Sequence, residues 1–166
     1  MDTAYIHLLL NHLPVLGVPF GLLLLAAGMI RKSSDLQRAA LVTFALAALF
    51  TVPVYLTGDP AEEKVEHIAG VSHHQIHEHE ERAEISLIAT SVLGVLSLGA
   101  LIGWRGRDLP SAPLGALAVL ALLTFGSLVL TAKAGGEIRH TEFSGAAVTA
   151  PAGDSGGSAR QHDDDD

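Results

Sequence analysis

Cysteine is absent from this chain of 166 residues. That excludes disulfides, thiolate metal ligands, cysteine-held iron–sulfur clusters and haem attached through Cys-x-x-Cys-His. Basic residues are scarce too, with 10 Lys and Arg against 18 Asp and Glu and a formal charge of −8. Without a basic face to neutralise phosphates, no nucleic-acid partner is expected. Neither the zinc-hydrolase pattern His-Glu-x-x-His nor a Gly-rich phosphate loop occurs, although His77-Glu78-His79 superficially suggests the first. The paired Glu-x-x-His motifs of a di-iron bundle are not both present either. No catalytic residue is assigned, and the chain is not expected to be an enzyme on its own.

Charge is missing altogether from three long stretches, Ala39–Leu56, Ile85–Trp104 and Leu114–Ala132, and a fourth, Ala4–Ile30, is apolar apart from His7, Asn11 and His12. About 20 residues of helix cross a bilayer core. These runs predict an all-α, four-helix transmembrane bundle with spans at about 4–30, 39–56, 85–104 and 114–132. Residues 1–143 form the membrane domain, and the Gly-, Ala-, Ser- and Asp-rich 144–166 is expected to be a disordered acidic tail. The first run lacks a basic leader and is too long for a signal peptide core, so it reads as a retained span. The loops Arg31–Arg38 and Arg105–Pro113 carry an excess of Arg and Lys. Positive charge in short loops marks the cytoplasmic side. Both termini and the segment Gly58–Glu84 are therefore expected outside a bacterial inner or plasma membrane. The pairs Gly17/Gly21 and Gly99/Gly103 place small residues one turn apart, where membrane helices approach closely.

Gly58–Glu84 is the polar centre of the chain and reads as a short helical outer segment between spans 2 and 3. It holds five of the nine histidines (His67, His73, His74, His77 and His79) with eight carboxylates. His7 and His12 lie in the outer part of span 1, and His140 follows span 4, so the histidines gather at one end. At 100° per residue His73 and His77 share a helix face, as do His74 and His77. Such pairs offer two imidazoles to one metal ion, or one to a haem iron with another nearby. His7 and His12 are five apart, about 140° round a helix, and should not bind one ion together. Pro14 follows His12 closely enough to distort the local helix.

The spacing His7-Leu-Leu-Leu-Asn-His12-Leu-Pro14, the glycine of Thr57-Gly58, the histidines His73, His74 and His77, and Gly135-Gly136-Glu137-Ile138-Arg139-His140 together resemble a known pattern. It is that of the four-span bacterial membrane family called domain of unknown function 2231. The resemblance covers about residues 5–142. Members of that family are sometimes joined to Rieske-type iron–sulfur domains, which implies redox work and a b-type haem.

Three readings follow. In the first, the protein binds haem b near its outer face and passes electrons to a redox partner protein. Its axial imidazoles come from span 1 (His12 or His7) and the entry to span 3 (His77, His74 or His73). His140 serves a second centre or donates a hydrogen bond, and Glu137 or Glu81 orients a ligand ring. On this reading His12→Ala abolishes the chromophore and changes at His79 do not. In the second, a divalent transition metal (Zn, Cu or Fe) is held by His67, His77, His79, Glu78 and Glu81. In the third, the chain is a cofactor-free assembly subunit whose acidic outer segment docks a basic partner.

Overall fold

Inside a bilayer the backbone must satisfy its own hydrogen bonds, so a single apolar segment crosses as a helix. The computed structural model describes residues 3–58, 60 and 73–139, with the backbone alone for Thr3, Ala4 and 137–139. Among the described residues there is no strand. The elements are α1 (Thr3–Leu10), α2 (His12–Ile30), α3 (Ser34–Leu56), α4 (His73–Gly103) and α5 (Ser111–Arg139). Four stretches are long and apolar enough to cross a membrane: Tyr5–Ile30, Ser34–Leu56, His73–Gly103 and Ser111–Gly136. The expected all-α four-helix bundle is therefore the fold. The outer segment before His73, the tail from 144, His67 and His140 lie outside the described residues, as does the side chain of Glu137.

Helices α2, α3, α4 and α5 pack each on the next, and α2 closes the ring against α5. This is the up-down-up-down arrangement that short loops favour. The core is small: Val18, Leu25, Ala40, Leu41, Phe44, Ala47, Leu93 and Ala121 with the hydroxyls of Thr90, Ser97 and Thr124. The outward faces are the greasier ones, with Leu23, Ile30, Val95 and Leu123 each more than two-thirds exposed. In water so much exposed apolar surface would drive aggregation, whereas lipid tails cover it at no cost. Close approach is made by small residues instead. A Cβ added at Gly21 would lie 2.6 Å from the buried Phe44 ring, and one at Gly17 would meet Ala47 Cβ at 3.4 Å. The second expected pair behaves differently, because Gly99 and Gly103 have nothing within 4 Å and face away from the bundle.

Two local features fix the ends. Pro14 has no N–H for the Leu10 carbonyl, so one helical bond is missing at the junction of α1 and α2, while Asn11 keeps helical dihedrals and its amide bonds to the His7 carbonyl at 3.0 Å. At the other end Ser33 caps α3, its hydroxyl accepting from the Leu36 amide at 3.4 Å. Arg38 donates to the carbonyls of Trp104 at 2.9 Å and Arg107, and Ser34 donates to Asp108 at 2.8 Å. These bonds tie the two basic loops together at one end of the bundle.

Candidate functional site: a histidine pair at the end opposite the basic loops

Helix α4 does not start where its apolar run starts. It begins at His73, before the run at Ile85, so its polar overhang is about 18 Å long at 1.5 Å per residue. Helix α5 likewise continues past Ala132 to Arg139. Along the overhang, the faces separate. The stripe that packs on the bundle runs Ile76, Ser86, Thr90, Leu93 and Ser97. His79 stands seven residues before Ser86, two helical turns away, and so continues that stripe.

Bonds between hydroxyls lock α4 to α5 at this level. Thr131 Oγ1 donates to the Arg82 carbonyl at 2.9 Å, lies 2.9 Å from Ser86 Oγ, and Ser86 donates to Ser127 Oγ at 3.1 Å. Arg82 adds a bond to the Leu130 carbonyl at 3.3 Å. In that register the His79 Nδ1 sits 3.1 Å from the Thr131 carbonyl oxygen. A carbonyl only accepts, so Nδ1 carries the proton and the lone pair of the neutral ring is left on Nε2.

His7 of α1 repeats the pattern from another side. Its Nδ1 lies 3.0 Å from the Val54 carbonyl oxygen and 3.2 Å from Thr57 Oγ1, in the last turn of α3. The Val54 carbonyl also accepts from the Thr57 amide at 3.3 Å and the Thr57 hydroxyl at 2.9 Å, so His7 joins a last turn that is already capped. Both side chains are partly buried. Each faces a glycine. A Cβ at Gly135 would come within 3.0 Å of His79 Cε1, and one at Gly58 would be 3.9 Å from His7 Cε1.

The other candidates are placed differently. His12 opens α2 on an exposed face, its Nδ1 2.7 Å from the Leu8 carbonyl one turn back. His73, His74 and His77 are exposed. His77 lies between Glu80 (3.6 Å) and Glu81 (3.4 Å) on the solvated side of α4, and Glu78 pairs with Arg82 at 2.5 Å. Among the described residues, no group of three or more His, Asp and Glu side chains is gathered as a bare metal ion would require. The rings that bond to a backbone carbonyl of another helix are those of His7 and, on the packed face of α4, His79. Its one sequence signal is the stripe of small hydroxyl residues that places His79 on the packed face, a pattern that apolar periodicity alone passes over.

Four apolar spans in a ring, with a polar overhang carrying half-buried imidazoles, define a helical integral membrane protein with a polar site at one end. No family model, curated protein or solved structure matches the chain.

Proposed function

We propose that this protein is a small membrane electron-transfer protein holding haem b at the outer end of its bundle, with His7 and His79 as the axial ligands. The observation that carries the reading is that both rings have Nδ1 bonded to a backbone carbonyl of a different helix. Metal-ligating histidines are held in this way, which fixes the ring and raises the basicity of the other nitrogen. A bis-histidine haem takes two protein ligands, whereas a bare ion in a closed site needs three or four. Two imidazoles from two helices suit the first requirement in number. The resemblance carried by His7, His12 and Gly135–Glu137 points the same way. When bound, the group supplies one-electron exchange, and the exposed Glu80, Glu81 and Glu84 give that end an acidic face for a basic redox partner. The positive-inside pattern supports an outward-facing position for this end of the bundle.

The test is an absorption spectrum of the detergent-purified protein, oxidised and dithionite-reduced, with metal analysis of the same sample. A Soret band with sharp reduced α and β bands is expected. His7→Ala and His79→Ala should each reduce it at least tenfold, and His12→Ala and His77→Ala should leave it intact. Colourless protein with stoichiometric zinc or copper, from cells supplied with haem, would transfer the site to a bare ion. Protein with neither would leave the assembly subunit.

A further inference from the structure

The basic end of the bundle carries a lysine where the backbone asks for glycine. Helix α2 ends with the Lys32 amide bonded to the Met29 carbonyl at 3.3 Å and the Ser33 amide bonded to the Gly28 carbonyl at 2.9 Å. This is a Schellman closure, whose residue after the cap takes the left-handed conformation and is usually glycine. Here that residue is Lys32, at φ 52°, and it is the one non-glycine residue with positive φ among the described residues. A side chain in this conformation costs about 1 kcal/mol or more relative to glycine. An off-pattern residue held at such a cost is a pointer to use.

The Lys32 side chain lines a groove of about 400 Å³ together with Met29, Ser34, Asp108, Ser111 and Leu114. The floor is apolar, with Leu114 buried and Met29 packed on the core. The rim is polar and carries both signs of charge. Lys32 and Asp108 share this groove but make no ion pair with each other, and one Asp108 oxygen accepts from Ser34 at 2.8 Å. The N-terminal turns of α3 and α5 both open here, at Ser34 and Ser111, and add partial positive charge. The groove lies where the spans end, at the level of lipid headgroups.

We propose that this groove seats the headgroup of a membrane phospholipid of the phosphoethanolamine class. Lys32 and the hydroxyls of Ser34 and Ser111 take the phosphate, Asp108 takes the ammonium, and the apolar floor takes the glycerol backbone and the start of the acyl chains. A cation and a carboxylate held apart in one groove match a zwitterion. An anionic headgroup would meet the Asp108 charge, and a choline headgroup has no N–H to give it.

The experiment is thermal unfolding of the full chain in neutral detergent with added phosphatidylethanolamine, phosphatidylglycerol or phosphatidylcholine of matched acyl chains, with native mass spectrometry of the retained lipid. The ethanolamine lipid should raise the midpoint by about 4 °C more than either other lipid. Lys32→Gly should unfold at the same or a higher temperature in detergent alone, because it relieves the left-handed strain, yet lose the lipid-induced rise. Asp108→Asn keeps an acceptor for Ser34 and should lose the preference for ethanolamine over glycerol. Equal stabilisation by all three lipids, or an unchanged order in both variants, would overturn the proposal. So would full stabilisation by soluble glycerophosphoethanolamine, which would make the ligand a free phosphodiester rather than a lipid.

Discussion

The imidazole of His79 is held in place by what its neighbour lacks. A methyl group at Gly135 would press on the ring at 3.0 Å from Cε1 and 3.2 Å from Nδ1, the atom bonded to Thr131. Contacts that short force one partner to move, and the ring is the softer of the two. Gly135 also lies within α5, where glycine costs about 0.5–1 kcal/mol relative to alanine. Gly135→Ala therefore predicts two readouts of opposite sign. Thermal stability should stay level or rise, while haem content at saturating supply should fall several-fold. A joint fall in both would make Gly135 a packing residue and nothing more. His12 illustrates why the pair was hard to read from sequence. It is named first as the span 1 ligand, but position in an apolar run says nothing about facing. The helix places its ring on the exposed side, bonded to the carbonyl one turn back. His7, nearer the end, bonds instead across to α3, at the Val54 carbonyl and the Thr57 hydroxyl.

At the level of whole helices, packing rather than burial of grease sets the fold. Lipid tails are as apolar as leucine, so helices associate by close contact and by hydrogen bonds. The tightest such contact joins α3 to α4. A Cβ added at Gly94 would land on that of Ala48, with the Phe44 carbonyl oxygen 3.4 Å away. Gly94→Ala should destabilise the bundle by about 1–3 kcal/mol, seen as a lower unfolding midpoint in detergent. Ala48→Gly in the same chain removes the one clashing atom and should restore most of the loss. Failure of that rescue would mean that the backbone itself, not the Ala48 methyl, is the obstacle. The four spans were legible in the sequence because uncharged runs of this length have no other common use. Their ends were not. The run Ile85–Trp104 marks the lipid-facing part of α4, but the helix starts at His73. Seven of the twelve residues in its extra turns, 73–84, are Glu, Gln, Arg or Ala, good helix formers that need no bilayer to continue a helix already nucleated. That continuation is what carries His79 up to α5 in a fixed register.

For the whole molecule, the two ends are chemically distinct, and a membrane would read the difference. The Arg38 bonds to Trp104 and Arg107 and the Ser34 bond to Asp108 join both basic loops at one end. His7 and His79 lie at the other, against the last turn of α3 and the outer part of α5. Positively charged short loops are retained on the cytoplasmic side, so the site is expected to open outward. The absence of cysteine makes this simple to check, because any thiol introduced is the only one in the chain. Glu80 and Ala112 are both exposed and stand at opposite ends. In intact cells a membrane-impermeant maleimide should label Glu80→Cys at once and Ala112→Cys only after permeabilisation. The reverse pattern would put the imidazoles in the cytoplasm, and any redox partner with them. Moving the charge bias tests its cause. Neutralising Arg31, Lys32, Arg105 and Arg107 together should mix the two labelling patterns. Arg38 is kept in that variant, since its bonds hold the loops and its loss would unfold the end whose orientation is being measured.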